Sequence, residues 1–226
     1  RRRRGGVMKR NILFWLSVAL MMVALYLIFV YVPTEKTMGI VQRIFYLMVP
    51  MGWLSLLSFL IVFIGSILYL IKKKGKWDIV ARSSAEVGIV FTTLTLIVGA
   101  LWARPIWGVW WAWEPRLTST LVLWLIYLAY FLVRSFATEK SRGATFAAAV
   151  GIVGFIDLPI IVLATTLWRG MHPGPIILQG GLAPPMLLTL LVSITAFTAL
   201  FFLILIQQVS LRNDEIGIER LKKIGN

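Results

Sequence analysis

Apolar residues along this chain come in six long runs, separated by short segments that hold most of the charge. The runs lie near Ile12–Val32, Pro50–Ile71, Glu86–Trp102, Leu117–Phe136, Thr145–Leu167 and Pro185–Gln208. Each is close to the roughly 20 residues that carry a helix across a bilayer. Backbone polar groups cannot stay unpaired in lipid, so each run is expected to be an α-helix. No alternation of period two marks barrel strands. The pattern therefore predicts an all-α, polytopic membrane protein with six transmembrane helices. A basic N-terminus (1–11) precedes the membrane domain (12–208), and a tail (209–226) follows. The tail, with the mixed charges of Leu211 to Lys223, reads as a short surface helix.

Charge placement sets the expected orientation. The N-terminus, segment 72–85, the segment around 134–142 and the tail carry 18 of the 23 lysines and arginines. The rest are Lys36, Arg43, Arg104, Arg116 and Arg169, in the other three connections. Basic residues stay on the cytoplasmic side, so both termini are expected there, with connections 33–49, 103–116 and 168–184 facing outward.

Composition agrees. The chain is 59% hydrophobic and 14% charged, against about 25% charged in a soluble domain. A net charge of +14 raises the question of nucleic acid, but basic residues at the ends of apolar runs describe membrane topology instead. With no cysteine there is no disulfide, thiolate metal site or thioether attachment point. No small-residue cleavage site follows the first run, so it reads as a retained span. Met8-Lys-Arg-Asn has the look of a natural start, which would make residues 1–7 an upstream extension.

The densest chemistry lies in the second outer connection, within the tryptophan-rich segment 103–120. Trp107 to Thr120 reads W-G-V-W-W-A-W-E-P-R-L-T-S-T, with four tryptophans in seven residues. If its first part is helical, Trp107, Trp110, Trp111 and Glu114 share a face, since i, i+3, i+4 and i+7 align. Pro115 is expected to open the next helix, because proline suits a first helical turn. The single histidine, His172, lies in the third outer connection in W-R-G-M-H-P-G-P, beside glycines and prolines that suggest a shaped loop. The first outer connection carries R-I-F-Y-L-M-V-P, Arg43 to Pro50.

A shelf of indoles beside a histidine suits a flat apolar ligand with a metal at its centre, and haem is the obvious candidate. Its macrocycle can stack on indoles, its iron takes an imidazole nitrogen, and its propionates seek guanidinium groups. Arg43, Arg104, Arg116 and Arg169 are on the expected side for that role. The plainer readings stand beside this one. Tryptophans also form belts at membrane interfaces, which accounts for Trp15, Trp53, Trp77, Trp102, Trp124 and Trp168. His172 could cap a loop, and arginines could be interface anchors. Asp157, in the fifth run, is a costly acid at that depth, and the favoured reading is that it serves backbone groups freed by Pro159. Glu86 reads as a carboxylate near a helix N-terminus.

The tryptophan motif, the six spans, R-I-F-Y-L-M-V-P and W-R-G-M-H-P together resemble the haem exporter protein C family, also called cytochrome c maturation protein C. The resemblance runs from about Met8 to the sixth helix. It implies haem b, held non-covalently at the outer face between the tryptophan-rich segment and two axial histidines. It implies delivery to the periplasmic haem chaperone, cytochrome c maturation protein E. It also implies work beside an ATP-binding cassette haem-export complex with a small single-span subunit, in the inner membrane. Trp107, Gly108, Trp110, Trp111, Trp113, Arg116, Leu117 and Thr118 match the motif, and His172 matches the second histidine. Two departures are visible. Met48 stands where the family has its first histidine, and could ligate iron through sulfur or simply fill space. Glu114 stands where the motif has aspartate. The resemblance implies a haem-binding and transfer protein rather than an enzyme. Two alternatives are a haem lyase acting on apocytochrome c and a scaffold that has lost haem binding.

Overall fold

The computed structural model describes residues 2–167 and 180–224, with side chains left out of account at 2–7, 9, 165–167 and 223. The helices are α1 (Arg2–Tyr26), α2 (Phe45–Lys72), α3 (Gly75–Trp107), α4 (Pro115–Ser135), α5 (Lys140–Val153), α6 (Asp157–Leu167) and α7 (Pro184–Ile224). A π-helical turn, Leu27–Tyr31, extends α1, and a 3-10 turn, Ile40–Ile44, leads into α2. A 3-10 turn, Gly154–Ile156, joins α5 to α6, so these two make one broken span. Six helical stretches are long and apolar enough to cross a membrane. Among the described residues there is no strand, only an isolated bridge between Glu35 and Gly39.

The six expected runs are found, but several helices reach further than hydropathy suggests. The run expected at Glu86–Trp102 is part of α3, which begins at Gly75 and has 33 residues. At 1.5 Å per residue that is about 50 Å, well beyond the hydrocarbon thickness. Segment 75–85 is polar yet helical, so the connection expected over 72–85 narrows to Lys73 and Lys74. The tail is not a separate helix either: α7 continues through Gln208 to Ile224. Pro50 lies inside α2 rather than at its start.

Small residues set a close seam of α3 against α2 and α4. Without a hydrophobic drive between helices in lipid, close backbone approach is what stabilises them. A Cβ on Gly88 would fall 2.6 Å from the Tyr127 hydroxyl and 2.8 Å from the Ser58 Cβ. Ser84 donates to the Ser58 carbonyl at 2.9 Å, closing the same seam. Phe59, Val62, Ala85, Leu123 and Tyr127 form the core where α4 and α5 join α2 and α3. At one end of the bundle, Ile28, Val32, Tyr46 and Leu190 bring together the end of the first span and the starts of α2 and α7.

The other end is pinned by charge. Arg134 of α4 pairs with Asp78 of α3 and donates to Tyr130 at 3.2 Å. Lys140 of α5 pairs with Glu219 of α7 at 2.6 Å. Glu86 does not act as a helix-terminal charge, since it sits well inside α3. It holds Arg82 at 3.3 Å, Arg212 and Gln208, and so ties α3 to α7.

Asp157 opens α6, with Pro159 in that helix's first turn, where a missing N–H costs nothing. The side chain is buried, and its Oδ2 has no hydrogen-bond partner. The expected hydrogen bond to freed backbone groups is therefore not made by that oxygen.

Candidate functional site

The tryptophan stretch lies where α3 ends and α4 begins, and it is not one helical face. Helix α3 stops at Trp107 because Gly108 takes the left-handed conformation, φ 76° and ψ −5°, and its N–H returns to the Arg104 carbonyl at 3.0 Å. This is the glycine stop that favours a residue without Cβ. Residues 108–114 then run without regular structure. Glu114 is the N-cap of α4, and Pro115 takes the first helical turn as expected. The stripe of Trp107, Trp110, Trp111 and Glu114 thus does not form, because one left-handed residue redirects the chain before Trp110.

The break sorts the indoles into two groups. Trp107 packs edge-on against Trp102, with ring centroids 5.2 Å apart. Trp102 is buried, so it belongs to the floor of this region and is not a belt residue at the lipid surface. Trp110 and Trp113 turn outward and are 58% and 77% exposed. Trp111 is half-buried, meets Trp113 edge-on at 5.7 Å, and keeps a buried Nε1 with no hydrogen-bond partner. Arg104 donates to the Gly108 carbonyl and lies 5.9 Å from the centroid of the Trp110 ring. One arginine therefore holds both the turn and the exposed indole after it, through a charge-assisted hydrogen bond and a cation–π contact.

Acid and base close the segment. Glu114 is 7% exposed and within electrostatic reach of Arg116. Ser119 bonds back to the Pro115 carbonyl at 2.6 Å, and Thr120 to the Arg116 carbonyl at 2.8 Å, which stiffens the start of α4. Arg104, Trp107, Gly108, Trp110, Trp111, Trp113, Glu114 and Arg116 are thus gathered in one turn between two spans.

Arg43 and Met48 are carried by other elements. Arg43 is in the 3-10 turn before α2, which packs on α3, and its Nε is buried with no hydrogen-bond partner. Just beside it, buried Gln42 donates to Tyr46 at 2.7 Å, a pair at i, i+4 that the sequence reading passed over. Met48 is in the first turn of α2, and its sulfur faces Gly99: a Cβ there would meet it at 3.9 Å. Gly99 is eight residues before Trp107, or roughly 12 Å along the α3 axis. The Met48 sulfur therefore lies in the α2/α3 seam, below the tryptophan turn. His172, Arg169 and Trp168, with Gly170 and the prolines around them, lie outside the described residues. Trp124, expected in the interfacial belt, donates its indole N–H to Thr93 of α3 at 2.9 Å.

This turn can offer stacking surface, cations and a buried carboxylate. Among the described residues no cluster of three His, Asp or Glu side chains could hold a metal ion.

Comparison with known proteins bears on what such a turn serves. A family profile described as heme exporter protein C matches residues 6–222. The chain is 36% identical over 185 residues to the heme exporter protein C of Bradyrhizobium diazoefficiens, covering 80% of this chain and 70% of that one. It is 32% identical over 193 residues to a putative cytochrome c biosynthesis ccmC-like mitochondrial protein of Marchantia polymorpha, covering 83% and 82%. It is 29% identical over 172 residues to the heme exporter protein C of Escherichia coli, covering 76% and 70%. A chain matched over nearly its whole length, folded as six apolar helices, belongs to the heme exporter protein C family.

Proposed function

We propose that this protein receives haem at the tryptophan turn and passes it to a haem chaperone during cytochrome c maturation. The observation that carries the reading is the exposure of Trp110 and Trp113 in a turn that is otherwise tied down. Large apolar side chains fixed outward beside cations are the mark of a ligand surface rather than of a core. Haem is cargo in this account, and the residues suit it. Trp110 and Trp113 offer ring faces to the macrocycle. Arg104 and Arg116 are placed for its propionates, with Arg43 and Arg169 as further candidates, and the buried Arg43 Nε still has a hydrogen bond to give. Glu114, close to Arg116, keeps that guanidinium oriented.

Axial ligation falls to His172, the one imidazole in the chain. Met48, its sulfur against Gly99, is read as packing in the α2/α3 seam. Haem bound without a covalent bond can leave by ligand exchange when the chaperone's own ligand competes, so this chain handles and transfers haem and carries out no bond-making step. Its partners are the haem chaperone and an ATP-binding cassette export complex with a small single-span subunit. The basic end of the bundle faces the cytoplasm and the tryptophan turn faces outward from the inner membrane, in keeping with the charge distribution.

The test is the visible spectrum of the detergent-purified protein loaded with haem b, compared with His172→Ala and Met48→Leu. A high-spin spectrum, as one axial imidazole gives, is expected in wild type and in Met48→Leu, and its loss in His172→Ala. Equal and negligible effects of both variants would remove His172 as the ligand. If crosslinking captured apocytochrome c instead of the chaperone, the haem-lyase role would replace transfer.

A further inference from the structure

At the end of the bundle away from the tryptophan turn, positive charge is in excess. Lys72, Lys73, Lys74 and Lys76 are exposed, and none forms an ion pair among the described residues. Nearby acids are engaged elsewhere: Asp78 by Arg134, Glu86 by Arg82 and Arg212, and Glu219 by Lys140.

An open groove of about 420 Å³ lies here between the end of α2 and the first two turns of α5. Tyr69 and Lys73 line it from α2, and Ser141, Arg142, Thr145 and Phe146 line it from α5. Lys73 is the C-cap of α2 in the left-handed conformation (φ 50°), with its N–H on the Tyr69 carbonyl at 2.8 Å. Its Nζ lies 5.9 Å from the Tyr69 ring centroid, which keeps the ammonium at the rim of the groove. Arg142 rises from the facing helix, and its ion pair among the described residues is with Glu139, at 3.3 Å through Nε, which leaves its terminal N–H donors for a ligand. The Thr145 hydroxyl is committed to the Ser141 carbonyl at 3.0 Å. The remaining wall is aromatic: Phe146 is 56% exposed and Tyr69 half-buried.

Two cations, the Ser141 hydroxyl and exposed aromatic carbon therefore line one groove between α2 and α5. A free anion has no use for the aromatic wall, and an apolar ligand has none for the cations. We propose that this groove binds the phosphodiester headgroup of an anionic membrane lipid. The phosphate lies between Lys73 and Arg142 and accepts from the Ser141 hydroxyl, while the first carbons of the acyl chains lie on Phe146 and Tyr69. Basic pockets between transmembrane helices suit such headgroups. The proposal does not depend on haem binding.

The experiment is native mass spectrometry of the purified full chain, titrated with phosphatidylglycerol or with phosphatidylcholine of the same acyl chains. Wild type is expected to prefer phosphatidylglycerol. Removing both cations in Lys73→Gln/Arg142→Gln is expected to weaken phosphatidylglycerol roughly thirtyfold and leave phosphatidylcholine unchanged. Arg220→Gln/Lys222→Gln removes the same charge from the exposed end of α7 and is expected to bind as wild type. Ser141→Glu puts an acid in the first turn of α5, where the helix dipole favours it, so the fold is kept while the groove turns repulsive. It is expected to lose phosphatidylglycerol too, and it decides the matter if the double variant does not purify. Equal loss in the α7 control would reduce the effect to bulk surface charge and overturn the site. Displacement by inorganic phosphate at the lipid's own concentration would overturn the lipid assignment, as would undiminished binding in Ser141→Glu.

Discussion

Replacing Gly108 by alanine isolates the contribution of the turn to haem binding. Gly108 has φ 76° and ψ −5°, and a Cβ built on it would meet nothing within 4 Å. The substitution therefore costs no packing, and its whole effect is the strain of a left-handed L-residue. That strain is about 1–2 kcal/mol, or roughly fivefold to thirtyfold in the population of the turn. If haem binds only when Trp110 is turned outward over Arg104, its apparent affinity falls with the remaining population of the turn, by up to that factor. Asparagine tolerates the left-handed region, so Gly108→Asn is expected to recover most of the loss. The assay is a Soret titration of haem into detergent-purified protein, with thermal unfolding of the helices followed in parallel. The account expects Gly108→Ala to lose affinity with its unfolding midpoint little changed. Wild-type affinity in Gly108→Ala, or equal losses in the alanine and asparagine variants, would refute the link between the turn and the ligand.

Gly88 tests the bundle rather than the site. In Gly88→Ala the new methyl collides with Tyr127 and Ser58, and overpacking of this kind costs about 1–3 kcal/mol; a lowered thermal midpoint with an unaltered haem spectrum in the folded fraction is expected. Glu35 gives a pH dependence outside the spans. Its Oε2 accepts from the Met38 N–H and, at 2.7 Å, from the Thr37 N–H, and the backbone hydrogen bond from Met38, chiefly, holds its pKa below the usual carboxylate value. Its contribution to the 35–39 turn is therefore full above the unfolded-state pKa and is lost as pH falls through the folded one. Exchange protection of the Thr37 and Met38 amides, corrected for intrinsic rate, is expected to drop over that acid range, and to be flat with pH in Glu35→Gln.

Six spans were legible in the sequence because crossing lipid demands a long apolar run, and nothing else in the chain imitates one. Their ends were not. Hydropathy marks where hydrocarbon is crossed, while α3 and α7 continue as helices beyond their apolar runs through residues such as Lys76, Arg82, Arg212 and Glu219. Pro115 announces the start of α4, since a first-turn proline is a local matter. The turn before it is not legible from spacing. Trp107, Trp110, Trp111 and Glu114 have helical spacing by coincidence, and Gly108 breaks it by adopting a conformation that spacing cannot register. A glycine directly after Trp107, with Arg104 in the preceding turn, is the available signal for a helix stop. Trp102 reads as an interfacial residue in sequence because depth in the bundle, unlike position along a span, depends on which neighbours pack against it. Met48 shows the same limit: the sequence places it in the first outer connection, and only packing shows its sulfur against Gly99.

The central claim is that the outward indoles of this turn hold haem, and it is tested most directly by removing them together. In Trp110→Ala/Trp113→Ala, haem affinity measured by Soret titration is expected to fall roughly fivefold to hundredfold, as expected for two stacked rings. Trp15→Ala/Trp53→Ala, which removes two exposed tryptophans elsewhere on the bundle, is expected to match wild type. Wild-type affinity in the first variant, or the same loss in both, would contradict the account.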